Sequence, residues 1–169
     1  MTERMEFFIA DEDLAAEPLR YCLSGLPNVW LLNGFTRQQD DYGESFDIHD
    51  VDGLNQAIAA GIIEKPGILT GSELKFLRKR LGLTQAEMGD RLRVTDQTVA
   101  NYEKGQTAVS GPADMMVRVV YLLHVLPPDA GRAFVDELMR RISEKQHARD
   151  KNAIVPRDRI AWREHLLAA

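Results

Sequence analysis

The spacing of apolar positions changes along the chain, and each change predicts a different element. From Asn28 to Ile48 the residues Val29, Trp30, Leu31, Leu32, Phe35, Phe46 and Ile48 favour extended structure, with Asp40-Asp41-Tyr42-Gly43 as the turn between two strands. Asn33-Gly34 is a rival hairpin signal, but it would leave very short arms, and we read it as a glycine bulge. Met1 to Leu26 shows no clean period. At His49-Asp50-Val51-Asp52 polar residues open a helix that carries Leu54, Ile58 and Ile62 at four-residue spacing. Lys65-Pro66-Gly67 stops it, because proline disfavours helix in the residue before it and glycine releases the chain direction.

Beyond Gly67 the pattern becomes short helices separated by tight breaks. Thr70 or Ser72 caps a helix through Leu74, Leu77, Arg78 and Leu81, which Gly82 ends. Thr84, with Glu87 three residues later, makes a capping box over Gln85 to Leu92. Thr95 with Thr98 opens a third helix ending at Gly105. Gly111-Pro112 starts a fourth, for which Met115, Val119, Leu122 and Leu123 are the expected apolar face. A fifth begins near Pro128-Asp129 and carries Phe134, Leu138 and Ile142 at four-residue steps, and Ile160 to Leu167 adds a last expected helix. The expected division is an acidic α+β domain over 1–66, a helical domain over 67–126 and a C-terminal helical segment over 127–169.

With 169 residues, 44% hydrophobic and 28% charged, the chain has the composition of a soluble globular protein rather than a disordered one. The single cysteine, Cys22, excludes an internal disulfide framework and the paired-cysteine spacing of a structural zinc site. The apolar stretch Val117 to Leu126 is interrupted by Arg118 and His124 and falls short of the roughly 20 residues that span a bilayer. Acids within Met1 to Glu6 stand where a signal peptide carries only positive charge, so no membrane association and a cytoplasmic location are expected. The net charge of -5 is unevenly spread. Residues 1–70 hold 4 Lys+Arg against 13 Asp+Glu, whereas residues 71–105 hold 7 against 5 and residues 106–169 hold 10 against 8. Only the chain after residue 70 could face phosphates without strong repulsion.

The informative stretch runs through Leu83-Thr84-Gln85-Ala86-Glu87-Met88-Gly89, then Arg93-Val94, then Thr95-Asp96-Gln97-Thr98-Val99-Ala100-Asn101-Tyr102-Glu103-Lys104-Gly105. Met88, Leu92, Val94, Val99 and Tyr102 are expected inward, with Gly89 small where two helices cross. From Thr70 to Leu123 the chain resembles the Xre-type helix-turn-helix of phage repressors and bacterial regulators. The resemblance implies a mainly α protein: a five-helix, lambda-repressor-like DNA-binding domain with a small α+β N-terminal domain and C-terminal helices. It implies double-stranded DNA as partner, with the helix from Thr95 to Glu103 in the major groove. The DNA-binding residues would be Gln85, Thr95, Asp96, Gln97, Thr98, Asn101 and Lys104. Gln97 and Asn101 each have the donor and acceptor suited to adenine. Gln85 and Lys104 would meet phosphate. Asp96 would accept from a cytosine amino group or cap its own helix, the cap being preferred. Arg78 and Glu103 fall where repressor relatives have a structural ion pair. Arg93 departs from the family, standing at a turn position where glycine is usual.

Upstream, Tyr21-Cys22-Leu23-Ser24-Gly25-Leu26-Pro27-Asn28-Val29-Trp30-Leu31, Asp50-Val51-Asp52-Gly53-Leu54 and Leu69-Thr70-Gly71-Ser72-Glu73 resemble the MqsA/YgiT-type antitoxin group. That similarity implies a protein toxin as a candidate partner of the N-terminal domain. It does not carry zinc over, because the two Cys-x-x-Cys pairs of the zinc-finger members are replaced here by Cys22 alone.

The remaining candidates point elsewhere. His49, Asp50 and Asp52 lack a further ligand at a recognisable spacing, and helix capping is the preferred reading. Cys22 has only Arg20 nearby to lower its pKa and is read as a buried or inert thiol. Ser24-Gly25 lacks the glycines and the base of a nucleophile elbow. No enzyme, cofactor or metal is expected. The expected function is sequence-specific transcriptional regulation by a homodimer on a palindromic operator, the C-terminal segment dimerising. The alternative is an antitoxin-like protein that binds a toxin and autoregulates; an N-terminal ligand or metal sensor is a third.

Overall fold

The computed structural model of the protein describes residues 6–10, 17–41, 43–126, 136–137, 140 and 163–165. The chain divides into two compact units, Met1–Gly61 with Asn152–Ala169, and Ile62–Lys151. Phe134, Leu138 and Ile142 lie outside the described residues.

The first unit holds strands β1 (Glu6–Ile9), β2 (Leu19–Arg20), β3 (Val29–Leu31), β4 (Phe35–Asp40), β5 (Gly43–Ile48) and β6 (Arg163–His165). One sheet has the order β2-β3-β1-β6, in which β1 and β3 run parallel and the other pairs antiparallel. Phe8, Val29 and Leu31 are fully buried on it. β4 and β5 make a separate antiparallel hairpin in register from Phe35↔Ile48 to Asp40↔Gly43, with the turn where the sequence placed it. On it Arg37 lies over the rings of Phe35 and Phe46 and pairs with Glu44 at 2.9 Å.

Two expectations change in this unit. Asn33-Gly34 is a strand break between the two sheets rather than a bulge within one strand: Gly34 takes φ +76°, and the buried Asn33 side chain accepts the Ala10 N–H. The last segment is also not wholly helical, because Arg163–His165 form a strand on β1. A short segment with an open sheet edge to pair with gains ladder hydrogen bonds that outweigh its weak helical pattern.

Helix α1 (Val51–Glu64) starts on Asp50, whose Oδ1 accepts the Gly53 N–H at 2.8 Å, and its Leu54, Ile58 and Ile62 are fully buried as the spacing required. The second unit takes in the end of α1 and then α2 (Gly71–Arg80), α3 (Gln85–Leu92), α4 (Asp96–Glu103) and α5 (Gly111–Val125). Thr70, Thr84, Thr95 and Ser110 are the four N-caps, the first two in full capping boxes with Glu73 and Glu87. Gly82 and Gly105 turn the chain out of α2 and α4 at φ +68° and +69°.

α5 buries a different face from the one expected. Ala113, Val117, Tyr121 and Leu122 are buried together with Asp114 and Arg118, while Met115 and Val119 are half-buried and Leu123 is exposed. The shift has a polar cause. Fully buried Arg118 donates to the carbonyls of Ile62, Ile63, Lys65 and Gly67 and to Asp114 Oδ1, which also accepts the Leu69 N–H at 2.8 Å. One guanidinium thereby satisfies the last carbonyls of α1 and the breaker after it.

Candidate nucleic-acid interface

The α3–α4 corner is built on a close backbone approach. A Cβ on Gly89 would lie 2.7 Å from the Val94 carbonyl oxygen, so only glycine lets the helices cross there. Arg93 ends α3 in the left-handed region at φ 56°, ψ 40°, the sole non-glycine with positive φ among the described residues. The non-glycine side chain costs on the order of 1 kcal/mol there. Met88 and Val99 are fully buried, Tyr102 is buried, and Leu92 and Val94 are half-buried, so the expected inward set holds with two members at its rim.

α4 turns its polar residues outward. Thr95 Oγ1 accepts the Thr98 N–H at 3.1 Å and lies 2.9 Å from Thr98 Oγ1. Asp96, the first residue of α4, accepts the Gln97 N–H on Oδ1 at 2.8 Å, while the N-cap of the helix is Thr95. Gln97 is exposed and Asn101 half-buried on one face, and Gln97 Nε2 donates to Asn101 Oδ1 at 2.9 Å. Lys104 follows the last turn, exposed. Lys75, Lys79, Arg91 and Arg93 are the other exposed cations of the second unit between residues 71 and 105.

Glu103 ties three helices together. Its carboxylate takes Arg78 Nε at 2.5 Å and Nη2 at 3.1 Å from α2, and Gln85 Nε2 at 2.8 Å from the first position of α3. Burial pushes the Glu103 carboxyl up, but the hydrogen bonds from Arg78 and Gln85, with the charges of Arg78 and Lys75, hold it below the usual carboxylate range. Glu87 is likewise lowered, by the hydrogen bonds it accepts from Thr84. Gln85, expected at phosphate, thus has one of its two amide donors committed to Glu103. The family pattern pointed to Arg78 with Glu103; the link to Gln85 escaped the sequence reading. Gly71 escaped it too: a Cβ there would lie 2.0 Å from the Tyr102 carbonyl oxygen.

Among the described residues no three His, Cys, Asp or Glu side chains converge as a metal cluster. His49 Nε2 lies 2.7 Å from Thr36 Oγ1, and Asp50 caps α1. No helix among the described residues is long and apolar enough to cross a membrane.

Residues 74–112, from within α2 to the first residues of α5, match the family described as Helix-turn-helix. No curated protein and no solved structure matches the chain. The matched stretch contains the whole of α3 and α4, and it makes this part of the chain a helix-turn-helix, the class of domain found in DNA-binding regulators.

Proposed function

We propose that the protein is a sequence-specific transcriptional regulator that lays α4 in the major groove of double-stranded DNA. The observation that carries this reading is the α4 surface: Gln97 and Asn101 present amides from one face, while Val99 and Tyr102 pack the other into the domain. Amide side chains suit base edges, and the cation of Lys104 suits phosphate without regard to sequence. In this reading Gln97 and Asn101 read bases. Thr95, Asp96 and Thr98 line the entry of the helix into the groove, and Gln85 and Lys104 set the register on the backbone. This reading carries with it a lambda-repressor-like layout of the helices. The protein acts as a homodimer on a palindromic operator, with half-sites about 34 Å apart. Exposed Met116, Leu123 and Val125 on α5 support self-association.

Genome-wide footprinting of the tagged protein supplies the operator, and binding titrations then test the roles. Gln97→Ala or Asn101→Ala should cost about 1–3 kcal/mol on that site and little on random DNA. Lys104→Ala should weaken both and reduce the salt slope by about 1. Equal operator preference for the parent and a folded Gln97→Ala, Asn101→Ala pair would exclude α4 as the reader.

A second reading draws on the separate, strand-built first unit: an antitoxin-like protein whose N-terminal domain holds a toxin while DNA binding autoregulates. Purification of the tagged protein with a stoichiometric toxin partner encoded beside it would favour this reading.

A further inference from the structure

We propose that Arg93 is a phosphate contact of the helix-turn-helix, held by the α3–α4 turn at the end where α4 enters the major groove and acting with Lys104 at the far end as a second backbone anchor. This rests on the DNA-binding reading above and adds to it a residue at which the Xre-type pattern has glycine.

Arg93 stands where glycine costs least. Its φ of 56° lies in the left-handed region, and it is the sole non-glycine residue there among the described residues. Asparagine is the side chain best tolerated in that region, because its short amide can bond locally; arginine has no such compensation. The turn nonetheless holds Arg93 in place, its N–H donating to the Asp90 carbonyl at 3.4 Å and the Val94 N–H to the Gly89 carbonyl at 3.0 Å. No described part of the chain uses the side chain kept at this cost. Arg93 is exposed, and its guanidinium makes no hydrogen bond, ion pair or ring contact among the described residues, although Asp90 and Asp96 stand three positions to either side. Its neighbours are engaged: Glu103 binds Arg78, and Arg91 lies close enough to Glu87 to help hold that carboxyl low. Strain kept at an exposed position with no internal contact points to a partner outside the chain.

The place of Arg93 identifies that partner. It precedes Thr95, the N-cap of α4, by two residues, and Lys104 directly follows Glu103, the last residue of the helix. The eight residues of α4 rise about 12 Å, so the two cations stand at opposite ends of the helix and meet different phosphates. A guanidinium suits a phosphate better than an ammonium does, since its planar fork can give two parallel N–H bonds to the phosphate oxygens. Such a contact carries no base preference, and Arg93 therefore tightens binding to every duplex alike.

Salt titrations of the full-length protein test this on two DNA duplexes, one enriched from a randomised pool by the parent and one of random sequence. Arg93→Gly and Arg93→Asn remove the charge while suiting the left-handed backbone, so that a loss of binding in them, with folding checked by circular dichroism, is not a loss of the turn. Each should weaken binding to both duplexes about tenfold at low salt and make the slope of log affinity against log salt shallower by about 0.9. The gap from the parent should then close about 3.5-fold between about 50 and 200 mM salt. Arg93→Lys keeps the charge and should keep the slope. Joining Arg93→Gly to Lys104→Ala should make the slope shallower by about 1.8, because the two contacts are separate. Parent-like affinity and slope in Arg93→Gly and Arg93→Asn, or a loss confined to the enriched duplex, overturns the phosphate contact and leaves DNA binding standing. A parent that binds neither duplex overturns both.

Discussion

Arg78 and Glu103, 25 residues apart, meet through two hydrogen bonds that fix α2 to the last residue of α4 beside the α3–α4 corner. Their side chains are only 11% and 3% exposed, so removal of either leaves a poorly hydrated charge. Arg78→Met should therefore cost about 3 kcal/mol in reversible urea unfolding, far more than an exposed ion pair such as Arg37–Glu44 would on truncation. Acid should have a related effect. The Glu103 carboxyl lies lower in the folded protein than its ordinary value of 4.5, so its charge stabilises the fold above that pH. The contribution is lost as pH falls from 4.5 through the folded value. Stability followed from neutral pH downward should fall more steeply for the parent than for Glu103→Gln, and parallel curves would assign the acid limb to other carboxylates.

Arg118 predicts a different failure. Its guanidinium satisfies four carbonyls and a carboxylate without solvent, and neither an apolar residue nor a lysine can supply that many donors in that plane. Arg118→Met and Arg118→Lys should both lose about 3–5 kcal/mol, whereas Gln106→Ala, at an exposed turn position after α4, should stay within about 0.5 kcal/mol. Urea midpoints of the three variants decide it. A neutral Arg118→Lys would mean that the carbonyls find water instead.

What the sequence made legible follows from how local each cause is. Thr70, Thr84 and Thr95 cap within three residues, so the helix starts could be read directly, and Gly82 and Gly105 marked the ends. The corner of α3 and α4 was legible because Gly89, Met88 and Val99 recur in a known order. The face of α5 was not. Its rotation is set by Arg118 reaching carbonyls 51 to 56 residues earlier, and a pattern of apolar residues alone carries no trace of that. The pair Asp114 and Arg118 at four-residue spacing in an apolar helix was the available signal.

Arg93 carries a stabilising substitution in waiting. With φ 56° it occupies the left-handed region that glycine adopts without a Cβ clash, and its side chain is exposed. Arg93→Gly should raise stability by up to about 1 kcal/mol, as a higher urea midpoint at unchanged slope, while affinity for DNA need not improve. Marked destabilisation would show that the Arg93 side chain makes a contact worth more than the strain.

Gly71 and Gly111 open α2 and α5 immediately after the N-caps Thr70 and Ser110, and local sequence rules treat them alike. Their surroundings differ completely. A Cβ at Gly71 would stand 2.0 Å from the Tyr102 carbonyl oxygen and 3.0 Å from its carbon, both backbone atoms that cannot rotate away, whereas a Cβ at Gly111 would meet nothing within 4 Å. Gly71→Ala must therefore push the start of α2 off the end of α4, where Glu103 and Lys104 sit. A cost of about 1–3 kcal/mol is expected from overpacking of that kind. Gly111→Ala removes backbone freedom from the unfolded chain at an unstrained helical position and should be neutral or stabilising by up to about 1 kcal/mol. Because the displaced residues adjoin the Gln85–Glu103 bond, Gly71→Ala should also weaken DNA binding at temperatures where it remains folded, and Gly111→Ala should not. Urea titrations paired with binding isotherms separate the two glycines, and equal behaviour in both measurements would mean that α2 and α4 do not approach this closely.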